Sequence, residues 1–343
     1  MYGTNLLETM GKPTAGHLGM AVTFTPKAYR ELHEKYAAPF TNRALLQQQD
    51  ILRVHVDKLI TALRAKARNK ESVNMGEWSP HTQPDTYTTF DIIGDICFAE
   101  PFGCLDGGES NEWARAIINI FKAATWDQAI RRVAGTGTLL HKALVKIIIP
   151  AEAAQWRTIH FSNSKAKTLA RLADPDRQHP DLIKHILDSE DSRAALSPTE
   201  IILNMPRVVP ACGAVVAGCP LPSGTTVSVA PWAAVFSARN FADPERFAPE
   251  RWLDEGGADP RYAADRRGAS QPFSTGPRGC MGKNLAYFEL RLVLAHLLWH
   301  FDLEPTDSAA GRECMRRWEQ TDMDTYQTWM KPDLWVDLKE AQR

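Results

Sequence analysis

The 343-residue chain is long enough for one large domain or two smaller ones, and 44% hydrophobic residues supply an ample core. Its 40 Lys and Arg against 41 Asp and Glu leave a net charge of −1, which argues against a nucleic-acid or other polyanion partner. Six cysteines without a Cys-x-x-Cys pair or a secretory leader point to reduced thiols rather than a disulfide framework. No apolar run approaches the roughly 20 residues that a membrane helix needs. The opening Met1-Tyr2-Gly3-Thr4-Asn5 reads as neither signal peptide nor anchor, so a protein that is not secreted is expected.

In chain order, Thr25 and Pro26 give an N-cap and first-turn proline for a helix through Tyr36. The clearest amphipathic helix covers 44–67, with Leu52, Val56, Leu59, Ile60 and Leu63 on one face. A turn-rich loop spans Ser79–Pro84. Helices are expected over Thr88–Phe98 and Asn111–Ala124, parted by Gly103–Gly108. Leu139–Ile149 is apolar and helical in pattern, and core packing is its plain account, because an exposed apolar patch needs a reason. Ser197, Pro198 and Glu200 open a further helix through an N-cap, a proline at the first helical position and a capping box. Pro206 then disfavours helix directly after Asn204. Val208–Val229 suggests short strands joined at Gly218 and Pro222-Ser223-Gly224. Gly256–Gln271 is an irregular, charged approach to the segment that carries most of the chemistry.

That segment is Phe273-Ser274-Thr275-Gly276-Pro277-Arg278-Gly279-Cys280-Met281-Gly282. Gly276 permits a tight turn, and Gly279 and Gly282 leave no side chain between the backbone and a flat ring such as an iron porphyrin. Asn284–Phe301 reads as a mostly apolar, buried helix. Its N-terminal amides would stabilise a thiolate at Cys280. Arg278 is placed to pair with a haem propionate, and Phe273 to pack near the sulfur. Cys97, Cys104, Cys212, Cys219 and Cys314 read as small buried hydrophobes. For Cys280 that bland account gives way, because the Phe, the glycines, the Arg and the following helix fall into place together. Other chemistry is weak: His296 and His300 stand four apart as in zinc sites, but no Glu follows His296, and no nucleophile elbow or phosphate-cradling loop occurs.

The decapeptide matches Phe-x-x-Gly-x-Arg-x-Cys-x-Gly, and on it the chain resembles the cytochrome P450 family. Phe247-Ala248-Pro249-Glu250-Arg251-Trp252 looks like the family's Pro-Glu-Arg segment, and Asn240-Phe241-Ala242-Asp243-Pro244 like the stretch leading into it. Phe90–Phe98 with Glu100-Pro101-Phe102-Gly103 resembles fungal members that oxidise secondary metabolites, of the isotrichodermin 15-hydroxylase type. Trp318, Tyr326, Trp329 and Lys331-Pro332-Asp333-Leu334 resemble the C-terminal strand region of that group. The resemblance implies a mainly α fold with a minor β-sheet, in one haem-thiolate domain over residues 1–343. It implies haem b with Cys280 as the axial iron ligand, and Arg278 and Arg207 as propionate partners beside Phe273, Gly276 and Gly282. It further implies NADPH through a separate reductase, an apolar small-molecule substrate, and a place in the cytoplasm or at the endoplasmic reticulum surface. In the family, the region of Leu139–Ile149 caps the substrate cavity or dips toward the membrane. Relatives bring a basic residue to a propionate from the region of Tyr29 and Glu31, where Arg30, His33 or Lys35 could substitute.

Against that pattern the chain departs in the middle. The helix opened at Ser197 corresponds to the start of the family's central helix, yet Met205-Pro206-Arg207-Val208 already looks like the strand entrance that follows the Glu-x-x-Arg helix. The expectation is an incomplete fold with an internal gap at 204–206 and a shortened N-terminal region. The distal acid and hydroxyl segment is missing with it, and Ala134-Gly135-Thr136-Gly137-Thr138 lacks the acid. Arg251 would then find a different carboxylate, reach water or destabilise the fold, since Glu112/Arg115, Glu190/Arg193 and Glu313/Arg316 are chance matches outside the interval that the family requires. The alternative to an active monooxygenase is an inactive remnant or mis-spliced product of one.

Overall fold

The computed structural model describes residues 37–75, 84–107, 112–174, 179–182, 184, 207–208, 212–253, 259–276, 279–319, 324–325, 329–330 and 332–343. The expected helix at 25–36, the loop at Ser79–Pro84, the helix opening at Ser197, the junction at 204–206 and Arg278 lie largely or wholly outside these residues. In chain order, α1 (Asn42–Gln47), α2 (Gln49–Arg68) and β1 (Val73–Asn74) come first. Then follow α3 (Pro84–Phe98), α4 (Cys104–Gly107), α5 (Glu112–Ala134), α6 (Leu139–Ile148) and α7 (Ala153–Ala173). Short strands β2 (Arg207–Val208), β3 (Ala214–Val216), β4 (Cys219–Leu221) and β5 (Thr226–Val227) precede α8 (Pro231–Val235). The chain ends with α9 (Lys283–His300), β6 (Phe301–Pro305), α10 (Ala309–Glu319), β7 (Asp324–Thr325), β8 (Trp329–Met330) and β9 (Trp335–Glu340). The fold is mainly helical with small sheets, as expected. The chain divides into two compact units: 1–200 with 281–318 and 322–343, and 201–280 with 319–321.

In the first unit, the single helix expected over 44–67 divides at Gln48 into α1 and α2, and α2 carries the predicted apolar stripe. Leu52, Val56, Leu59 and Leu63 recur every three or four residues and are fully buried. Lys66 and Arg68 occupy its last turn, where cations suit the negative end of the helix dipole. The stripe packs on Val73, Leu297, Phe301, Val336 and Leu338 in one cluster and on Ile92, Ile96 and Leu182 in another. The antiparallel sheet runs β1-β9-β6, with β6 and β9 in register from Phe301↔Glu340 to Pro305↔Val336. Along β9, Val336 and Leu338 face inward and alternate with Asp337 and Lys339, the period of two of a half-buried strand.

On α3, Gly94 is required by packing: a Cβ there would lie 2.9 Å from the Glu100 carbonyl oxygen. Buried Asp91 accepts from the amides of Cys104 (3.0 Å) and Leu105 (2.8 Å), which sit at the start of α4. Helix α5 runs ten residues past the expected end at Ala124, because Arg131 reaches back to Asp127 (2.7 Å) and only Gly135, at φ +72°, turns the chain. The buried Trp113 indole N–H donates to His160 Nδ1 (3.0 Å) and ties α5 to α7.

Two expectations of burial are corrected here. Helix α6 forms with Thr138 capping the amide of His141 (3.0 Å), but none of its residues is buried; Leu139 is 84% and Ile147 79% exposed. Helix α9 also forms, yet only Leu297 is buried in it, while Leu290, Leu294 and Leu298 are each 54% exposed. Apolar composition stabilises a helix against any neighbour, and among the described residues these stripes lack one. A third correction concerns thiols: Cys212 and Cys219 are exposed, because a two-stranded ribbon is too thin to cover either face.

The second unit opens with two such ribbons. Backbone pairing joins β2 to β5 through Arg207↔Val227, and β3 to β4 through Val216↔Cys219. The β3–β4 turn needs positive φ at both central residues, met by Ala217 (+50°) and Gly218 (+81°).

Candidate functional site

The frame of the site is built around Arg251. The residue begins as the last but one of a 3-10 turn, Pro249–Trp252, entered by proline at its first position. Its guanidinium is buried and donates to Asp265 Oδ2 at 2.5 Å. Further N–H groups reach the carbonyls of Ala242 (3.1 Å), Asp243 (3.2 Å) and Ala248 (3.2 Å). The cation also lies over the rings of Tyr262 (4.4 Å) and Phe241 (5.7 Å). Arg251 therefore finds a carboxylate in Asp265, one of the outcomes open to it. Sequence reasoning did not single out Asp265. It sits in the irregular 256–271 stretch, 14 residues beyond Arg251, where no periodicity links an acid to a base.

From Asp265 the chain reaches the cysteine loop through closed turns. The Arg266 amide donates to the Asn240 carbonyl (2.7 Å), and Arg267 to the Asp265 carbonyl (3.0 Å). Gln271 Nε2 donates to the Gly268 carbonyl (2.7 Å), and the Ser274 amide to that of Gln271 (3.0 Å). Ser274 (φ +57°) and Gly276 (φ +76°) then turn the backbone. The amide of Gly279 donates to the Gly276 carbonyl (2.9 Å), and that of Cys280 to the Phe273 carbonyl (2.8 Å). Phe273, Gly276 and Cys280 thus belong to one closed turn. Gly282, at φ −76°, is the N-cap residue of α9. Arg207 is placed by its backbone in the β2–β5 ribbon, and Arg278 is outside the described residues.

The loop fits a thiolate-ligated haem. Cys280 is a free, half-buried thiol, a soft donor suited to iron. At Gly279 a Cβ would come within 3.3 Å of the Gly276 oxygen, so a larger residue before the sulfur would need that carbonyl to give by a few tenths of an ångström. Both Cys280 and Gly279 spend their amides inside the loop, which fixes the backbone that carries the sulfur.

A family model described as cytochrome P450 matches residues 196–319. The chain is 82% identical over 418 residues to cytochrome P450 monooxygenase ABA2 of Pyricularia oryzae strain Y34, covering all of both chains. It is 64% identical over 527 residues to ABA2 of Pyricularia oryzae strain 70-15, again across both chains. Identity is 40% over 410 residues with aba2 of Botryotinia fuckeliana, covering 96% of this chain and 76% of that one. The crystal structure of the cytochrome P450DA heme domain superposes with a TM-score of 0.62 at 14% identity, over 99% of this chain and 82% of that one. The chain belongs to the cytochrome P450 family.

Proposed function

We propose that this chain is a haem-thiolate monooxygenase of fungal secondary metabolism, inserting one oxygen atom from O2 into a C–H or C=C bond of an apolar small molecule. In this reading residues 1–343 are one haem-thiolate domain. The observation that carries it is the Phe273–Cys280 turn, in which the amides of Gly279 and Cys280 bond within the loop and fix the backbone at the sulfur. Cys280 would hold the haem iron through its sulfur, Arg278 and Arg207 would bind the propionates beside Phe273, and Gly276 and Gly282 would keep side chains out of the way. When bound, haem supplies one-electron and O2 chemistry, and a cysteinate ligand favours O–O cleavage. Electrons come from NADPH through a separate reductase. No described helix is long and apolar enough to cross a membrane; the reading places the protein in the cytoplasm or at the endoplasmic reticulum surface. Within the family, the segments at Phe90–Gly103 and Trp318–Leu334 support likeness to the isotrichodermin 15-hydroxylase type.

A second reading has its own support. The alignments with ABA2 extend over 418 and 527 residues against a chain of 343. The uncovered stripe Leu290-Leu294-Leu298 on α9 is what a lost neighbour leaves behind. On this reading the chain has lost the central-helix to Glu-x-x-Arg segment at 204–206. No distal acid or hydroxyl is then available to hold a proton for oxygen chemistry, and the product is a remnant with little turnover.

Two measurements separate the readings. Reduced protein reconstituted with haem and exposed to CO should show the red-shifted Soret band of thiolate ligation. Cys280→Ser should abolish that band and Cys212→Ser should keep it; a band surviving in Cys280→Ser overturns the ligand assignment. Product formed per NADPH consumed then compares this chain with a form carrying a relative's segment between Asn204 and Pro206. Efficient coupling by the shorter chain removes the remnant reading.

A further inference from the structure

We infer that Asp265 is a positioning residue for the Cys280 loop, an inference that rests on Cys280 being the haem ligand. Four observations within the second unit carry it. The Asp265 side chain is essentially inaccessible to solvent, and both of its oxygens are engaged: Oδ1 accepts from the Ala242 amide (2.7 Å) and Oδ2 from Arg251 (2.5 Å). Arg251 returns bonds to the carbonyls of Ala242 and Asp243, so one acid–base pair fastens 242–243 from both sides. The Arg266 amide, next to Asp265, holds the neighbouring Asn240 carbonyl. From Asp265 to Phe273 the chain is then short and turned, with the bonds at Arg267, Ser270 and Ser274 closing successive turns.

The consequence is mechanical. The Phe273 carbonyl, which receives the Cys280 amide, is connected to Asp265 through eight residues with little slack. Asp265 is the point at which this strap is tied to the 240–251 segment by a buried charge. An aspartate is needed: asparagine keeps the size but presents an N–H or a weaker acceptor to a guanidinium already surrounded by donors' partners. Loss of the carboxylate leaves Arg251 buried without its anion, and the charge must move toward water. That movement draws on the strap, and through it on the sulfur. Outer partners that orient a metal ligand, when removed, weaken metal affinity on the order of 10–100-fold.

The test compares wild type, Asp265→Asn, Asp265→Glu and Leu63→Ala as purified full chains. Leu63 is fully buried in the first unit, so Leu63→Ala serves as a control for general destabilisation. One readout is the share of bound haem giving the thiolate-type ferrous–CO band. The other, on haem-free protein, is the rate at which a small maleimide modifies Cys280, followed by peptide mapping. Asp265→Asn should lower haem affinity on the order of 10–100-fold, reduce the thiolate share and speed Cys280 modification several-fold. Asp265→Glu, which restores the charge, should recover part of both, and Leu63→Ala should change neither at matched folded fraction. If Asp265→Asn does not accumulate folded, Arg251→Lys carries the same measurements, with the same directions and smaller size. A wild type without the thiolate band defeats the ligand assignment itself. A wild type that shows it, beside an Asp265→Asn (or Arg251→Lys) protein with unchanged band share and unchanged Cys280 reactivity, defeats the positioning role.

Discussion

The α2 core and the Arg251 hub solve the same problem with opposite chemistry. Around α2, order comes from apolar side chains withdrawn from water, each contributing on its own and tolerant of its neighbours' exact chemistry. Around Arg251, a few apolar residues, Phe241, Ala248 and Tyr262, surround one cation whose bonds must all be made together. The first arrangement is robust and graded. The second is all-or-none, because a buried charge that loses its partner costs more than the pair ever contributed.

The strongest way to break the contrast is to strip one half of the pair. Arg251→Met should destabilise the second unit by about 3–5 kcal/mol by leaving Asp265 buried without its cation. Adding Asp265→Asn should recover much of that loss, since no uncompensated charge then remains. Hydrogen exchange reads this directly: the amides of Ala242 and Arg266 should open first in Arg251→Met and regain protection in the double variant. If the two substitutions simply add, the hub is not a coupled unit.

Next in size is a graded loss in the other region. Leu63→Ala should cost about 2–5 kcal/mol through lost burial and a residual cavity. Chemical unfolding should show a shifted midpoint with an unchanged slope, and an unchanged midpoint would mean that α2 is not the core element described here.

The smallest effect is set by pH at the α5–α7 contact. Burial pushes the His160 imidazole below its ordinary range, and its Nδ1 accepts from the Trp113 indole, so the folded state favours the neutral ring. The sign follows: the folded form binds this proton less readily than the unfolded chain. Its contribution is complete above the ordinary histidine value of about 6.5 and falls as pH drops below it. One proton limits the slope to about 1.4 kcal/mol per pH unit. His160→Gln should flatten the stability curve between about pH 5 and 7 relative to the parent protein, where the unperturbed imidazole value lies. A parallel curve would remove His160 from the account.

What could be read from the amino acids follows the same division. Helix α2 was legible because its buried residues repeat with the helical period, and the Cys280 loop because glycines and a cysteine at fixed spacing have few other uses. The 217–218 turn was legible from Gly218. Exposure of α6 and α9 was not, since apolar periodicity reports which face wants cover, not whether cover exists. Asp265 was invisible for a different reason. A buried acid–base tie across 14 residues of irregular backbone leaves no repeating trace, and in a chain with 41 acids nothing marks one of them. The need for such an acid was readable from Arg251; its identity was not.

The thiols of this chain form a ready-made clock. Part of the Cys97 residue surface is open, yet its thiol is pushed up to about 12 by burial and by the Asp181 carboxylate, and Cys104 is buried. At pH 8 only about one Cys97 in ten thousand is the reactive anion. Cys219 on β4 and Cys212, just before β3, stand in solvent. An alkylating reagent therefore marks the ribbon within the native state and reaches Cys97 and Cys104 when α3 comes away. The interval between the two marks, timed on one sample, is the lifetime of the folded first unit.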